Sequence, residues 1–257
     1  MPKLVLDRVS KRYRLERESR DVLAFAEVSL EVEEGEFVAI VGPSGCGKTS
    51  LLNVVAGLLP FEEGSVTIDG RRVSGPGTDR GVVFQHPSLL PWRTVSGNVR
   101  YGMEMQRRFD RTTMRDRAEH FVKLVGLDGF QSQFPSELSG GMQQRANLAR
   151  ALACDPSVLL MDEPFAALDA QTRELMQAEL LNLWAESRKT VLFITHQINE
   201  ALYLADRVVV FGARPGRVKA ILDVPFERPR PLSLKREPRF LELEDPIWRL
   251  LQEEAIR

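Results

Sequence analysis

Length, composition and charge narrow what this chain can be. Its 257 residues suffice for a sizeable core in one or two domains, and a hydrophobic share of 43% excludes a disordered chain. The formal net charge of −1 at pH 7 gives no overall attraction to nucleic acid, so no nucleic-acid partner is expected. The chain has only two cysteines, Cys46 and Cys154, which favours a reducing cytosol.

The sequence offers no membrane-spanning or export segment. No window of about 18 apolar residues occurs, and the first ten residues form a charged, alternating stretch instead of a basic and then apolar leader. We therefore expect that the chain itself neither crosses nor enters a membrane.

The first predicted elements are strands. Residues 3–9 and 28–33 alternate apolar and polar side chains, which predicts half-exposed antiparallel strands. Tyr13 follows two basic residues between them, where an aromatic ring can either pack at a strand end or form a platform for a flat base. Residues 37–41 form an apolar run typical of a buried strand, and residues 49–59 show helical spacing.

The segment between that strand and helix, GPSGCGKT at 42–49, fits the spacing G-x-x-x-x-G-K-[ST]. Its glycines let successive N–H groups turn inward around phosphates, and the following helix adds its positive end. Lys48 is expected to contact the outer phosphates and Thr49 to coordinate Mg²⁺. A structural glycine turn is the plainer alternative, which the flanking strand and helix disfavour. Cys46, beside Lys48 at a helix start, is expected to favour the thiolate and to react with maleimides unless a bound nucleotide protects it.

A helical block then separates two further strands. Residues 64–68 predict a strand entering a turn, and residues 81–84 predict a buried strand that ends at Gln85. Gln85 can face a ligand there or simply lie at the surface. Residues 86–135 contain a loop and then helical spacing at 95–105 and 114–125, so we predict a helical insertion. Its apolar side chains at Leu89, Leu90 and Trp92 form either a partner surface or ordinary packing.

The stretch LSGGMQQR at 138–145 opens a helix that runs to residue 153. Ser139 suits the N-cap, and two glycines leave the N–H groups accessible to an anion. A plain helix cap is the alternative, but it would not need two glycines followed by Gln-Gln-Arg. Residues 158–163 form an apolar strand that ends in two acids, which is costly unless they meet a cation or a water. Asp162 would hold Mg²⁺, mainly through water, and Glu163 would be the general base. For an isolated acidic pair, a solvated turn is the alternative.

The last predicted elements are a turn, two strands and a tail. A turn at 167–169 precedes a strand at 190–194 that ends beside His196, which can be structural or reach a γ-phosphate. Residues 207–211 are expected to complete the strand series. Residues 212–239 carry eight basic and three acidic side chains, which favours a solvated face, and Pro225, Pro229 and Pro231 exclude a long helix there. Residues 240–256 predict a packing helix whose apolar face contains Leu243, Ile247, Trp248, Leu250 and Leu251.

These motifs, in this order, resemble the ATP-binding-cassette (ABC) ATPases over about residues 3–225. The resemblance implies an α/β fold, that of a P-loop NTPase with a parallel-sheet core, an N-terminal antiparallel β-subdomain and a helical subdomain inserted at about 86–150. The cassette domain would span residues 1–225. Residues 226–257 would form a short C-terminal extension with the packing helix.

The resemblance also assigns the site. Tyr13 would stack on adenine, Gln85 would sense the metal and link to a membrane partner, and residues 139–141 would contact ATP held by the opposite subunit of a head-to-tail dimer. The catalytic residues would be Glu163, His196, Lys48 and Gln85, and the Mg²⁺ ligands would be Thr49, Gln85 and Asp162. The residues assigned to ATP are Tyr13, Gly42, Pro43, Ser44, Gly45, Cys46, Gly47, Lys48, Thr49, Ser50, Ser139, Gly140, Gly141 and Asp169.

Three further stretches are similar to the ATP subunits of nitrate, sulfonate and taurine importers: LLPW at 89–92, NVRYG at 98–102 and ARPGR at 213–217. This resemblance implies an ATPase that drives uptake of a small anionic solute from the cytoplasmic face of the membrane. Its partners would be a second copy of the chain, polytopic permease subunits and, indirectly, a solute-binding protein. Gln197 departs from the pattern, because an Asp usually follows the switch histidine.

Two other classes of function compete with transport. A cassette ATPase acting on DNA or a soluble assembly would be indicated by a long coiled coil between the phosphate loop and the signature, or by tandem cassettes; the sequence has neither. A non-catalytic binding module is disfavoured by the full set of Lys48, Asp162, Glu163 and His196.

Overall fold

The fold is described by a computed structural model that covers residues 2–15, 20–213 and 215–255. The chain forms two compact units. The first consists of Met1–Gly77 and Ala185–Arg257, and the second of Thr78–Trp184. Arg214 and Ile256, which belong to predicted segments, lie outside the described residues.

The first unit contains an antiparallel sheet in the order β2-β1-β4-β5. The predicted pair of N-terminal strands is confirmed, and both strands are longer than their alternation suggested, because irregular register shifts carry the pairing past Val9. Asp69 and Gly70, both with positive φ, form the predicted turn between the last two strands. The strands are β1 (Pro2–Leu15), β2 (Arg20–Glu33), β4 (Glu63–Ile68) and β5 (Arg71–Arg72).

The buried core of the first unit is built on three parallel strands, β3 (Phe37–Val41), β8 (Thr190–Thr195) and β9 (Arg207–Gly212). β3 and β8 are buried at every position, as an apolar run between covered faces should be. The expectation that residues 207–211 complete the strand series was wrong. A further strand, β10 (Arg217–Asp223), pairs antiparallel with β9, and its alternating charges suit the half-exposed edge of a sheet.

Three helices belong wholly to the first unit: α1 (Lys48–Val55), α6 (Ile198–Leu204) and α7 (Pro238–Ala255). Helix α1 ends before the predicted residue 59, because Gly57 takes a φ of +75° and approaches the backbone of Gly75 too closely for any side chain. Helix α7 confirms the predicted helix. Of its predicted apolar face, Ile247 is buried and Leu243, Leu250 and Leu251 are half-buried, whereas Trp248 is exposed.

The packing side of α7 is formed by Phe240 and Ile247, which are fully buried, whereas Trp248 is 55% exposed. The spacing of seven residues between Phe240 and Ile247 is two helical turns, so both side chains point the same way. A short 3₁₀ helix, Leu232–Arg236, precedes α7. The basic segment is also no simple solvated face, because Arg230 within it is only 6% exposed.

The second unit contains two parallel strands, β6 (Arg80–Val83) and β7 (Val158–Asp162), and the helices between and after them. The predicted helical block without strands at 86–135 is confirmed, and the stretch without strands extends over residues 84–157. Its helices are α2 (Val95–Gln106), α3 (Arg111–Leu124), the 3₁₀ turn Pro135–Glu137 and α4 (Gly140–Ala153). Helix α5 (Ala170–Ser187) follows β7. Among the described residues, no helix has the length and apolar character needed to cross a bilayer.

Candidate functional site

The phosphate loop at 42–49 leaves the end of β3 and enters α1 in the first unit. Gly45 and Gly47 adopt φ values of +77° and +95°, which side chains rarely tolerate. A Cβ at Gly47 would lie 2.7 Å from the Ala24 carbonyl oxygen, and one at Gly42 would lie 2.6 Å from that of Phe211. These glycines therefore let the loop lie directly against β2 and β9.

Lys48 braces this loop from within. Its Nζ donates hydrogen bonds to the carbonyl oxygens of Gly42 at 2.8 Å and Pro43 at 2.9 Å. The residue is only 6% exposed, and a buried ammonium is stable only with such partners. The brace places a positive charge at the N-terminus of α1, where an anion is already favoured.

Cys46 does not behave as its position suggested. The side chain is 1% exposed, and its Sγ lies 3.6 Å from Lys48 Nζ. Burial raises the pKa of the Cys46 thiol by more than the nearby ammonium lowers it. The expectation of a favoured thiolate was wrong, because spacing along the sequence gave no information on burial.

Tyr13 lies on β1 beside the first turn of α1. Its hydroxyl group is 3.0 Å from Ser50 Oγ, and Lys11 Nζ lies 5.3 Å from the ring centroid. The ring is 40% exposed. A half-exposed aromatic fixed at the phosphate loop's own helix leaves surface for a flat ligand to contact.

His196 leaves the parallel strands at the same edge as the phosphate loop. Thr195, the last residue of β8, pairs with Val41, the last residue of β3. His196 therefore follows β8 at the level where Gly42 follows β3, and its side chain is exposed. The Thr195 hydroxyl group forms hydrogen bonds with Glu200 and with the N–H of Gln197, which hold the backbone on both sides of His196.

The second unit brings together Gln85 and Glu163. Strands β6 and β7 are parallel, with Val83 paired to Met161, so the residues that follow them share one edge. Gln85 Nε2 donates a hydrogen bond to Glu163 Oε2 at 3.3 Å. Asp162 is 4% exposed at the tip of β7, and Glu163 has a φ of +45°, a conformation found mainly where surrounding structure enforces it.

The signature stretch begins α4 in the way its sequence predicts. Ser139 Oγ accepts the N–H of Met142 at 3.3 Å as an N-cap. Ser139 and Gly140 are exposed, and a Cβ at Gly140 would meet no atom within 4 Å. A Cβ at Gly141 would lie 3.1 Å from Leu168, so the signature lies against the turn at 167–169.

Asp169 starts α5 at the end of that turn. Its Oδ1 accepts the N–H of Thr172 at 3.0 Å. Hydrogen bonding from Thr172 holds the pKa of the Asp169 carboxyl below its ordinary value, so it is an anion at neutral pH.

Comparison with known proteins agrees with this arrangement. The family model described as "ABC transporter" matches residues 25–166, more than half of the chain. The chain belongs to the ABC transporter family. It is an ATPase of that family, and its relatives include importer subunits.

Two relatives and one solved structure show which proteins this chain is similar to. A taurine import ATP-binding protein of Rhizobium johnstonii is 49% identical over 240 residues, with 91% of each chain covered. A nitrate import ATP-binding protein of Synechocystis sp. is 46% identical over 237 residues, covering 90% of this chain and 89% of the relative. A dimeric ATP-binding cassette in a post-hydrolysis state, bound to ADP and Pi, is 34% identical with a TM-score of 0.79, covering 87% of this chain and all of that one.

This ABC ATPase also contains positioning residues that the sequence analysis missed. On α4, Gln144 Nε2 donates to the Phe84 carbonyl oxygen at 3.1 Å, and Asn147 Nδ2 donates to the same oxygen at 3.4 Å. Arg150 Nη1 donates to the Ser88 carbonyl oxygen at 2.6 Å. The signature helix therefore holds the chain on both sides of Gln85. A signal was present in the sequence, because polar residues spaced by three along a buried helix share one face.

Proposed function

We propose that this ABC ATPase works as one half of a head-to-tail dimer and drives an importer of a small anionic solute, such as nitrate, an aliphatic sulfonate or taurine. The observation that carries the hydrolytic part is Glu163, a carboxylate at the tip of a buried strand, oriented by the Gln85 amide at 3.3 Å. The similarity to taurine and nitrate import proteins supports the solute class.

In this proposal the phosphate loop binds the nucleotide. The backbone N–H groups of the loop at 42–50, other than at Pro43, and the Lys48 ammonium bind the β- and γ-phosphates, and Tyr13 stacks on the adenine. The Thr49 hydroxyl group and the Asp162 carboxylate, the latter mainly through water, hold Mg²⁺, with Gln85 sensing it.

The donor set fits a magnesium ion that arrives with its nucleotide. Among the described residues, no group of three or more His, Cys, Asp and Glu side chains could hold a metal. Mg²⁺ prefers one or two carboxylates, waters and substrate phosphates over an all-protein cage, and the Asp162 carboxylate and the Thr49 hydroxyl group are oxygen donors of the kind it accepts. When bound, the ion neutralises charge on the phosphates.

Glu163 accepts a proton from the attacking water. The water oxygen forms a bond to the γ-phosphorus while the bond from that phosphorus to the β–γ bridging oxygen breaks, which yields ADP and inorganic phosphate. His196 donates a hydrogen bond to the γ-phosphate, where negative charge must be held throughout the transfer. Gln85 holds the Glu163 carboxylate in place.

The second half of each site comes from the other copy of the chain. The exposed N-terminus of α4 at Ser139 and Gly140 offers N–H groups and open space to an anion outside its own chain. The solved relative that is a dimer with ADP and Pi supports this assembly. ATP would favour the closed dimer, because it contacts both copies only there.

The dimer would act on the permease through the segment that follows Gln85. Trp92 in this segment is 71% exposed, an unusual state for a large apolar side chain unless a partner covers it. Permease subunits would hold the protein at the cytoplasmic face of the membrane, and a solute-binding protein would deliver the solute to them.

Reconstitution tests the proposal. The chain is combined in proteoliposomes with a candidate permease and a candidate solute-binding protein, and ATP hydrolysis and uptake of nitrate, taurine and an alkanesulfonate are measured. We expect anion-dependent hydrolysis. Glu163→Gln should retain ATP binding and lower turnover by about 10²–10⁴, because the general base is lost. Glu179→Gln, an exposed site on α5, is the matched control.

Two results would contradict the proposal. Undiminished hydrolysis by Glu163→Gln would remove Glu163 from its role. Salt-sensitive DNA binding without a stable complex with a polytopic membrane protein would replace the importer with an ATPase acting on DNA.

A further inference from the structure

Two arginines of the C-terminal extension hold the last turn of α6. Arg230 Nη1 donates hydrogen bonds to three carbonyl oxygens, those of Leu202 at 3.3 Å, Tyr203 at 3.0 Å and Ala205 at 2.7 Å. Arg228 Nη2 donates to the Leu204 carbonyl oxygen at 2.6 Å. The last carbonyl groups of a helix have no hydrogen-bond donors within that helix, and these two arginines supply the donors. We call Arg228 and Arg230 together the arginine bracket.

Arg230 is buried among the carbonyl groups to which it donates. It is 6% exposed, and its Nε and Nη2 donate to the Phe226 carbonyl oxygen at 3.1 and 2.9 Å. Burial lowers the pKa of Arg230 to about 10, which still leaves a cation at neutral pH. A buried cation is costly unless it is fully paired. The partial negative charge at the C-terminal end of α6 stabilises the Arg230 guanidinium.

The arginine bracket is itself fastened to the rest of the first unit. Tyr203 donates its hydroxyl hydrogen to the Arg230 carbonyl oxygen at 3.0 Å. Asp206 accepts from Arg228 at 2.8 Å and from the N–H of Phe37, the first residue of β3, at 2.9 Å. The Phe226 ring stacks on Phe240 of α7 at 5.5 Å. The extension and the strand that leads to the phosphate loop are thus tied to one end of α6.

The other end of α6 reaches His196. Glu200, 3% exposed in the first turn of this helix, forms a hydrogen bond with the Thr195 hydroxyl group, which also accepts the N–H of Gln197. Thr195 immediately precedes His196. At seven residues, α6 is about 10 Å long, so a shift of its last turn moves its first turn as well.

We infer that Arg230 is a positioning residue for ATP hydrolysis: the arginine bracket fixes α6, and through Glu200 and Thr195 it fixes the placement of His196. This inference rests on the proposed role of His196 at the γ-phosphate. The C-terminal extension is then a working part of the cassette.

The test compares steady-state hydrolysis by the full chain with substitutions at two basic positions. Arg230→Met removes the donors and keeps most of the apolar stem, and Arg236→Met, at an exposed position in the same extension, is the matched control. We expect Arg230→Met to lower kcat by about tenfold to a hundredfold through misplacement of His196, with KM for ATP within about twofold. Arg230→Lys should recover part of the loss, because an ammonium can bond fewer of the carbonyl oxygens.

Two measurements separate positioning from general damage. Amide hydrogen exchange should rise in α6 and stay unchanged in α1 if the effect is local. In a double-mutant cycle, Arg230→Met should cost nothing further in a His196→Ala background, because both changes act through one side chain. If Arg230→Met does not fold, Thr195→Val tests the same link from inside, with Thr195→Ser as the variant that should recover kcat.

Each outcome of these experiments either supports or overturns the inference. Wild-type kcat in Arg230→Met, or losses that multiply with His196→Ala, overturns the inference and leaves the proposed function intact. Thr195→Val is judged in the same way. The inference is overturned if this variant has the wild-type kcat, or if its loss of kcat multiplies with that of His196→Ala. Undiminished turnover by His196→Ala overturns the proposed role of His196 and, with it, the inference.

Discussion

The phosphate loop and the signature stretch are both glycine-rich entries into a helix, yet they are built in opposite ways. The phosphate loop is enclosed: Lys48 is buried and bonded to the loop's own carbonyl groups, and Gly47 approaches β2 too closely for a side chain. The signature is open: Ser139 and Gly140 are exposed, and Gly140 has free space where a Cβ would be.

This difference shows which half of a binding site each stretch can be. A loop in which Gly42, Gly47 and Lys48 are fixed by internal contacts is already organised for phosphates before any ligand arrives. A helix start with open N–H groups has affinity for an anion but no walls to enclose one. The comparison therefore predicts that the two stretches respond differently to substitution.

Among substitutions of the glycines in these two stretches, Gly140→Asp has the largest expected effect. The new carboxylate fits the open space and suits a helix N-terminus, so the fold and ATP binding by the chain's own loop should persist. It would repel the phosphates of ATP on the other copy, so turnover should fall by about 10²–10³. Steady-state hydrolysis and equilibrium binding of a fluorescent ATP analogue measure the two effects, and Gly140→Ala is the neutral control.

Mixing variants makes this test sharper. Gly140→Asp and Lys48→Met are each expected to be inactive alone, the second because its loop loses the brace and the positive charge. A mixed dimer contains one site with an intact loop and an intact opposite signature, so activity should return in part. Failure to recover any activity in stable mixed dimers would argue against head-to-tail pairing.

A smaller effect is expected from alanine in the phosphate loop. Both Gly45 and Gly47 have positive φ, but only Gly47 would also bring its Cβ to 2.7 Å from Ala24. Gly45→Ala should cost about 1 kcal/mol of unfolding free energy, and Gly47→Ala about 3 kcal/mol with weaker ATP binding. Urea unfolding of the pair measures this difference. Equal costs would show that the contact with β2 does not constrain the loop.

Features that depend on neighbouring residues could be predicted from the sequence. The phosphate loop, the N-cap at Ser139 and the acids at the end of β7 obey rules that act within a few residues, and each lies in the predicted element. The proximity of Gln85 and Glu163 follows once their strands are parallel neighbours. The ligand roles of all these residues stay predictions.

Features set by distant packing could not be predicted in this way. Strand β10 carries basic residues that resemble a solvated segment until β9 is known to pair with it. Trp248 matches a helical period but faces outward, and Arg230 sits in a basic run although it is buried. In each case, burial depends on a partner that is far away in the sequence, so local patterns carry no signal for it.

Cys46 gives the smallest expected effect and tests the enclosure of the phosphate loop directly. Because burial raises the pKa of its thiol, the thiolate fraction at pH 7 to 8 is lower than in an unfolded chain, and maleimide labelling should be slower in the native protein than in urea. Labelling should rise with pH up to an inflection above the ordinary thiol pKa, because only the thiolate reacts. Rates measured from pH 6.5 to 9.5 on a Cys154→Ala variant, native and in urea, isolate the Cys46 thiol.

Two variants sharpen this test. The Cys46 thiol should react faster in Gly47→Ala, because that substitution loosens the loop, whereas Gly140→Asp should not change the rate. An inflection below the ordinary pKa would mean that Lys48 outweighs burial and that the loop is open.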